Sequence, residues 1–322
     1  MKEFITGKND SGQRLDRFVA KTVPSLPASL LQKYIRTKRI KVGGKSSKRD
    51  YKLNIGDAVQ MYINDEFFQG PGGENTYLKT ARPSLDIVYE DENILLLNKH
   101  AGVLCHSDGV YDHNSLISGV LVYLRQSGQW LPSEENSFAP ALCNRIDRNT
   151  SGIVIAAKNA ESLRIINEKI KLREIDKYYL AAVHGAPACR SGLLESYIFK
   201  DAVKNQVFVT PDRRPGSKSA MTEYRTIAAA GRLTLLECRL ITGRTHQIRA
   251  QLAAAGCPLL GDGKYGSERL NKPYGERRQA LCSYKLVFSF TTESGILSYL
   301  NNKSFQLDHV PFVEKYFSSI DI

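Results

Sequence analysis

Asn144-Arg145-Ile146-Asp147-Arg148-Asn149-Thr150-Ser151-Gly152 sets one carboxylate between two arginines and closes on a Thr-Ser-Gly turn. An apolar run, Ile153 to Ala157, follows at once. The flanking guanidinium groups favour the ionised form of Asp147. A charged carboxylate at the start of a strand serves as half of a structural ion pair, or as a nucleophile or base. The segment by itself leaves both readings open. Two more segments carry groups that could join it. Lys177-Tyr178-Tyr179-Leu180-Ala181-Ala182-Val183-His184-Gly185 offers aromatic rings in a strand. Thr242-Gly243-Arg244-Thr245-His246-Gln247-Ile248-Arg249 offers two arginines and a histidine at the start of a helix.

Other patterns compete and read as structural. Arg14-Leu15-Asp16 mimics Arg145-Ile146-Asp147, but it opens an amphipathic helix and lacks the Thr-Ser-Gly turn. Gly261-Asp262-Gly263-Lys264-Tyr265-Gly266 satisfies the dinucleotide pattern, yet no long helix or βαβ unit follows. It is expected to be a tight turn, with no nucleotide cofactor. His100, His106, His113, His184 and His309 show no metal-ligand spacing, so no metal is expected.

These residues need a scaffold. Residues 14–64 read as a small α/β module. Leu15, Phe18 and Val19 recur at helical spacing, and a second helix starts near Ser29 as its N-cap, with Leu30, Leu31, Tyr34 and Ile35 on one face. Arg39 to Lys45 is a strand running into a Gly43-Gly44 hairpin turn, and Ala58 to Ile63 alternates as a strand. Gly70-Pro71-Gly72-Gly73 marks a linker. The expected division is a domain at 1–64, a linker at 65–82 and a domain at 83–322. In the large domain, strands are predicted at Leu85 to Tyr89, Ile94 to Asn98, Ile153 to Ala157, Tyr178 to Val183, Ala220 to Ala228, Leu233 to Leu240 and Tyr284 to Phe290. Helices are predicted at Ser115 to Arg125, Ala160 to Leu172 and Thr245 to Ala255. Many strands with few helices between them predict α+β, with a mixed, mostly antiparallel sheet.

The net charge of the 322 residues is +12. Residues 1–64 hold 14 Lys plus Arg against 5 Asp plus Glu, so +9 of that total sits in the first fifth of the chain. A localised basic block points to a dedicated binding module and a polyanionic partner. The six cysteines form no Cys-x-x-Cys pair and are expected to be reduced and mostly buried. No apolar run approaches the ~18 residues of a membrane span. Met1-Lys2-Glu3-Phe4-Ile5 carries no signal-peptide core, so a cytoplasmic location is expected.

The three chemistry-bearing segments, in this order, resemble the signature motifs of the RluA/RluC/RluD type of RNA pseudouridine synthase. Leu85-Asp86-Ile87-Val88-Tyr89-Glu90-Asp91-Glu92 followed by Asn98-Lys99 is similar to that family's opening strand pair, and the resemblance runs from about Leu85 to the C-terminus. Residues 14–64 resemble the alpha-L (S-four type) RNA-binding domain through Arg14-Leu15-Asp16, Leu31-Gln32-Lys33-Tyr34-Ile35-Arg36, Lys41-Val42-Gly43-Gly44-Lys45 and Gly56-Asp57.

The resemblance implies the pseudouridine synthase fold and isomerisation of uridine to pseudouridine with no cofactor. It implies that Asp147 attacks the uridine, that Arg249 pairs with it and that Tyr179 lies against the target base. It also implies that Arg145 fills the space of the extruded base and that Ile248 lines the pocket. Arg148, Arg244 and His246 are expected to contact RNA, His246 from a helix cap. Lys33, Arg36, Lys38, Arg39, Lys41 and Lys45 form the expected phosphate-binding patch. The implied substrate is large-subunit ribosomal RNA, bound by a monomer with no membrane partner. Transfer RNA as substrate, or a non-catalytic RNA-binding or ribosome-assembly role, are the alternatives. The sequence departs from the family pattern at Asn144, usually His, at Ile146, usually Leu, and at His100, often Pro.

Overall fold

The computed structural model describes residues 1–68, 85–107, 114–201 and 206–318. The Gly70-Pro71-Gly72-Gly73 segment, Pro83 and His113 lie outside them.

At the N-terminus, helices α1 (Leu15–Thr22) and α2 (Ala28–Arg36) bury Leu15, Phe18 and Val19, and Leu31, Tyr34 and Ile35. The spacings are those of one apolar face on each helix. Pro27, rather than Ser29, is the N-cap of α2. Its carbonyl accepts the Leu31 N–H at 3.0 Å, and its ring presets φ at the turn into the helix. Strands β1 (Lys2–Ile5), β2 (Ile40–Val42), β3 (Lys45–Ser46) and β4 (Ala58–Met61) form a sheet in the order β1-β4-β2-β3. Gly43 and Gly44 join β2 to β3 at φ +56° and +76°, the positive pair that a two-residue hairpin turn demands. Phe67 and Phe68 pack onto the same core.

The large sheet has eleven strands. They are β5 (Ile87–Glu90), β6 (Ile94–Lys99), β7 (Ala141–Leu142), β8 (Ser151–Ala157), β9 (Ile175–His184), β10 (Ser191–Asp201), β11 (Gln206–Thr210), β12 (Lys218–Ala230), β13 (Leu233–Leu240), β14 (Leu281–Phe288) and β15 (Ser304–Gln306). The order is β11-β10-β12-β13-β9-β14-β8-β6-β5, with β15 on β14 and β7 on β8. Only β14 and β8 run parallel among these pairs; the rest are antiparallel, as expected.

Both faces of the sheet are covered. On β8, Ile153 and Ile155 enter one core while Val154 and Ala156 enter the other, the period-two signature of a strand buried on both sides. The first core takes Ile166 of α4 (Ala160–Leu172) and the C-terminal residues Leu297, Leu300, Val313 and Phe317. The second takes Leu116, Val120 and Leu124 of α3 (Leu116–Gln126), and Ile248 and Leu252 of α5 (Gln247–Ala254). Ile146 and Tyr179 belong to this second core, so the candidate site lies on the α3/α5 side. No helix among the described residues is long and apolar enough to cross a membrane.

A short turn at Lys8–Asp10 joins the small module to the large sheet domain. Asp10, 1% exposed, accepts from Asn136 Nδ2 at 2.8 Å and Ser137 Oγ at 2.6 Å. Asn9 donates to Glu135 at 2.6 Å and accepts the Ala160 N–H at 3.0 Å, on the first turn of α4. Gln13 reaches Ser137 Oγ at 2.9 Å.

Candidate active site

Asp147 sits at the first position of a β-turn, its carbonyl accepting the Thr150 N–H at 3.1 Å, a place that suits Asp. The turn delivers the chain into β8 through Gly152, at φ +113°. A Cβ there would lie 2.3 Å from the Ser283 carbonyl oxygen on β14, so only glycine lets these parallel strands meet. Below the turn is Lys99, fully buried, whose Nζ donates to the carbonyls of His100, Val103 and Arg148 at 3.1, 2.8 and 3.0 Å. Burial pushes its ammonium down to about 8. Asn144, where the family usually has His, accepts the Ile155 N–H on Oδ1 at 2.8 Å and ties the loop to β8.

The guanidinium on Asp147 is not one of its sequence neighbours. Arg148 turns its Nε to the Gly102 carbonyl at 3.1 Å. Arg145 is exposed at the cleft and makes no hydrogen bond among the described residues. Arg249, 102 positions along the chain, donates from Nη1 to Asp147 Oδ2 at 2.8 Å. Arg145 and Arg148 thus flank Asp147 in sequence without pairing with it: local charge spacing says nothing of where long side chains find partners.

Arg249 is itself held from behind. Its Nε and Nη2 donate to the two oxygens of Asp262 at 2.8 and 3.0 Å. Asp262 is 1% exposed and also accepts the N–H groups of Lys264 and Tyr265. Burial works against both charges. The pairing outweighs it, holding the Asp262 carboxyl below the usual range and raising Arg249. One guanidinium therefore bridges a buried aspartate and the cleft aspartate.

His246 begins α5 at φ +52°, a left-handed conformation. Its side chain caps nothing in the helix; Nε2 lies 3.8 Å from Asp147 Oδ2, and Nδ1 meets the Tyr265 hydroxyl at 2.8 Å. The Val207 N–H already donates to that hydroxyl at 2.9 Å. Tyr265 can thus give its proton to Nδ1, which leaves the proton on Nε2, facing the carboxylate. Burial lowers the imidazole, with Asp147 pulling the other way. Gln247, buried, locks the preceding loop: it accepts from Thr242 Oγ1 and the Arg244 N–H and donates to Met221 O and Thr222 Oγ1.

Tyr179, Ile248, Arg145, Arg244 and His246 line one cleft with Asp147 and Arg249, of about 290 Å3. Burial pushes the Tyr179 hydroxyl up to about 12, so it stays a neutral phenol near pH 7. Both contacts to Asp147 fall on Oδ2, which leaves Oδ1 without a hydrogen bond among the described residues. Such a carboxylate is aimed and free on one oxygen, the arrangement a nucleophile needs. Arg148 is not part of the lining. Lys33, Arg36, Lys38, Arg39 and Lys45 are exposed and Lys41 half-buried, all on the small module. Arg39 packs its guanidinium 4.5 Å from the Tyr34 ring centre, and Lys41 stands over Tyr62.

Asp262 and Tyr265 are not legible as site residues in the sequence. Their segment shows there only as a glycine-rich turn. Gly261 (φ +75°) is required there: a Cβ would strike the Arg278 carbonyl oxygen at 2.1 Å.

Residues 93–254 match the family described as RNA pseudouridylate synthase. The chain is 31% identical over 306 residues to an uncharacterized RNA pseudouridine synthase of Mycoplasma capricolum, covering 94% of this chain and 96% of that protein. It is 32% identical over 273 residues to the ribosomal large subunit pseudouridine synthase C of Vibrio cholerae, covering 84% and 82%. The solved structure of human RNA pseudouridylate synthase domain containing 4 shares the fold, with a TM-score of 0.56 and 20% identity over 74% of this chain and 93% of that one. The chain belongs to the RNA pseudouridine synthase family, of the RluA/RluC/RluD type. It is a pseudouridine synthase, an isomerase acting on RNA.

Proposed function

We propose that this isomerase acts on uridines of large-subunit ribosomal RNA, in the cytoplasm and as a monomer, with Asp147 as the attacking group. One observation carries the reading: a carboxylate gripped on Oδ2 by Arg249, with Oδ1 unbonded, in a cleft that Tyr179 walls. Asp147 bonds transiently to the uridine, the bond from N1 to the ribose breaks, and the base turns. The bond from C5 to the ribose then forms and the bond to Asp147 breaks; the C5 proton leaves and N1 takes one up. Atoms and electrons balance with no redox partner. Tyr179 gives the base a stacking face, Ile248 backs the pocket, and Arg145, exposed and unbonded, fills the gap left in the RNA. Arg148 and Arg244 contact the RNA backbone.

The preferred RNA is supported by the name of the Vibrio cholerae relative. It is also supported by the N-terminal unit, read as an alpha-L RNA-binding domain over 1–64, joined through 65–82 to a catalytic domain at 83–322. The six basic residues from Lys33 to Lys45 serve as its phosphate contacts.

Tritium release from RNA labelled at uracil C5 tests this, with ribosomal and transfer RNA offered separately to wild type and Asp147→Ala. Release from ribosomal RNA by wild type alone is expected. Release from transfer RNA only would move the substrate. Tight binding with no release from either RNA would make the chain a non-catalytic binding factor.

A further inference from the structure

Lys177 stands two residues before Tyr179 on β9, so both side chains leave the same face of the strand. Tyr179 lines the cleft around Asp147. Lys177 lines that cleft and also a second groove of about 370 Å3 beside it. Ile170, Leu240, Gly243 and Arg244 are common to both, so the two are continuous. The charged lining of the groove is Lys171, Arg173, Lys177, Arg239 and Arg244 against Asp176 alone. Asp176 is already neutralised: Arg239 donates to its Oδ1 from Nε and Nη2 at 3.1 and 2.9 Å.

Lys177 differs from its neighbours. It makes no hydrogen bond or ion pair among the described residues, although it is half-buried. Burial pushes its ammonium below the ordinary lysine value, against the pull of Asp176. A desolvated cation with no protein partner is costly. Such a breach of the usual pairing is found where a ligand supplies the missing group. The C-terminal end of α4 also borders the groove, and its carbonyls disfavour an anion. That partial charge fades within a turn and is screened, whereas four full side-chain charges, besides the Arg239–Asp176 pair, line the groove.

We propose that Lys177 anchors a phosphodiester subsite, and that the groove takes the RNA phosphate beside the uridine whose base lies against Tyr179. The spacing suits this. Two residues along a strand cover ~6.6 Å, comparable to the reach from a uracil ring across its ribose to its own phosphate. The base is then held by the ring and the backbone by the ammonium, so the nucleotide is fixed at two points before Asp147 reacts. The subsite rests on the reading of the cleft as a uridine pocket.

The test uses a short cytidine strand with one central uridine, made with normal phosphates or with an uncharged methylphosphonate on either side of that uridine. Binding is measured for wild type, Lys177→Gln and Lys177→Arg, with thermal melting to establish that each variant is folded. One methylphosphonate is expected to weaken wild-type binding on the order of tenfold, the equivalent of one charge-assisted hydrogen bond. Lys177→Gln weakens the normal strand equally, ignores the methylphosphonate and lowers the salt slope by ~0.7. Lys177→Arg restores most of the affinity. In turnover with labelled RNA, Lys177→Gln raises KM and largely spares kcat. Wild-type affinity in Lys177→Gln, or an undiminished methylphosphonate effect in it, overturns the subsite. Loss of tritium release in wild type would instead overturn the reading of the reaction, with the binding comparison still standing.

Discussion

Arg249 faces two carboxylates, and the two differ in what they can do. Asp262 is buried, bidentate and braced by two backbone N–H groups, so it has no freedom to react. Asp147 shares only Oδ2 with the guanidinium. Asp262 therefore aims Arg249, and Arg249 aims Asp147. Asp262→Asn keeps the size and one acceptor but sets an amide N–H against the guanidinium. Its kcat is expected to fall ~10²-fold, the usual effect of a misplaced reacting group, with RNA affinity close to wild type. Breaking a buried pair costs ~3–5 kcal/mol, so tritium release is compared at a temperature where melting shows the variant folded. A loss no larger than the loss of folded protein would reduce Asp262 to a structural role. At this scale Asp147, Tyr179 and Arg249 were legible because each stands in a local motif. The pairing of Arg249 with Asp147 came from the resemblance alone, and what fixes the pair was not legible. Arg145 and Arg148 flank Asp147 in sequence yet neither pairs with it, and the residues that fix Arg249 and His246 lie in a turn whose glycines masked its polar side chains.

Glu174 joins α4 to β9 and pins both. It accepts from Lys169 Nζ at 2.8 Å, Thr291 Oγ1 at 2.6 Å and Thr292 Oγ1 at 3.0 Å, while its carbonyl takes the Ser289 N–H. Burial would raise its carboxyl; these donors outweigh burial and hold it at about 2, below the ordinary 4.5. The folded state thus binds this proton less readily than the unfolded chain. The resulting stability is full above pH 4.5 and is lost as pH falls from there towards 2. Glu174→Gln should flatten that part of an acid-unfolding curve; an unchanged slope would reject the assignment. Gly152→Ala tests the other support, the parallel contact of β8 with β14. The positive φ alone costs ~1–3 kcal/mol, and the clash with Ser283 adds to it, so thermal melting should drop clearly. Wild-type melting would mean that the strands can separate there at no cost. Element periods made β8, β9, β13 and α4 readable, because each buries a regular face. The pair β10 and β11 was not readable in this way. Leu193, Phe199 and Phe208 are exposed there, so apolar spacing does not track burial. Ile198 and Val207 turn inward onto a small cluster with Ala220 and Ala250, with Val209 packed against it.

For the whole molecule, the question is how the basic module and the cleft cooperate on one RNA. The sequence located the charge of the module but not its docking, because Asn9, Asp10 and Gln13 look like ordinary loop polars until Asn136 and Ser137 meet them. The docking bonds centre on a buried carboxylate, so they hold the module in one orientation and spare an RNA the cost of ordering it. Two perturbations separate attraction from orientation. Neutralising Lys33, Arg36, Lys38 and Lys45 removes the cations proposed to pair with phosphates. It should lower the slope of log affinity against log salt by ~0.9 for each phosphate left without its cation. The double change Asn9→Ala and Asp10→Ala leaves every one of those cations in place. It should leave the salt slope unchanged while lowering affinity for long ribosomal RNA several-fold, as a docked pair of sites becomes a merely tethered one. Turnover of a short stem-loop that reaches only the cleft should match wild type. Salt titrations of binding, run side by side on the two variants, give the answer. A reduced slope in the docking variant would mean that Asp10 serves the RNA-binding surface itself. Unchanged affinity and slope would mean that recognition does not depend on how the module is held.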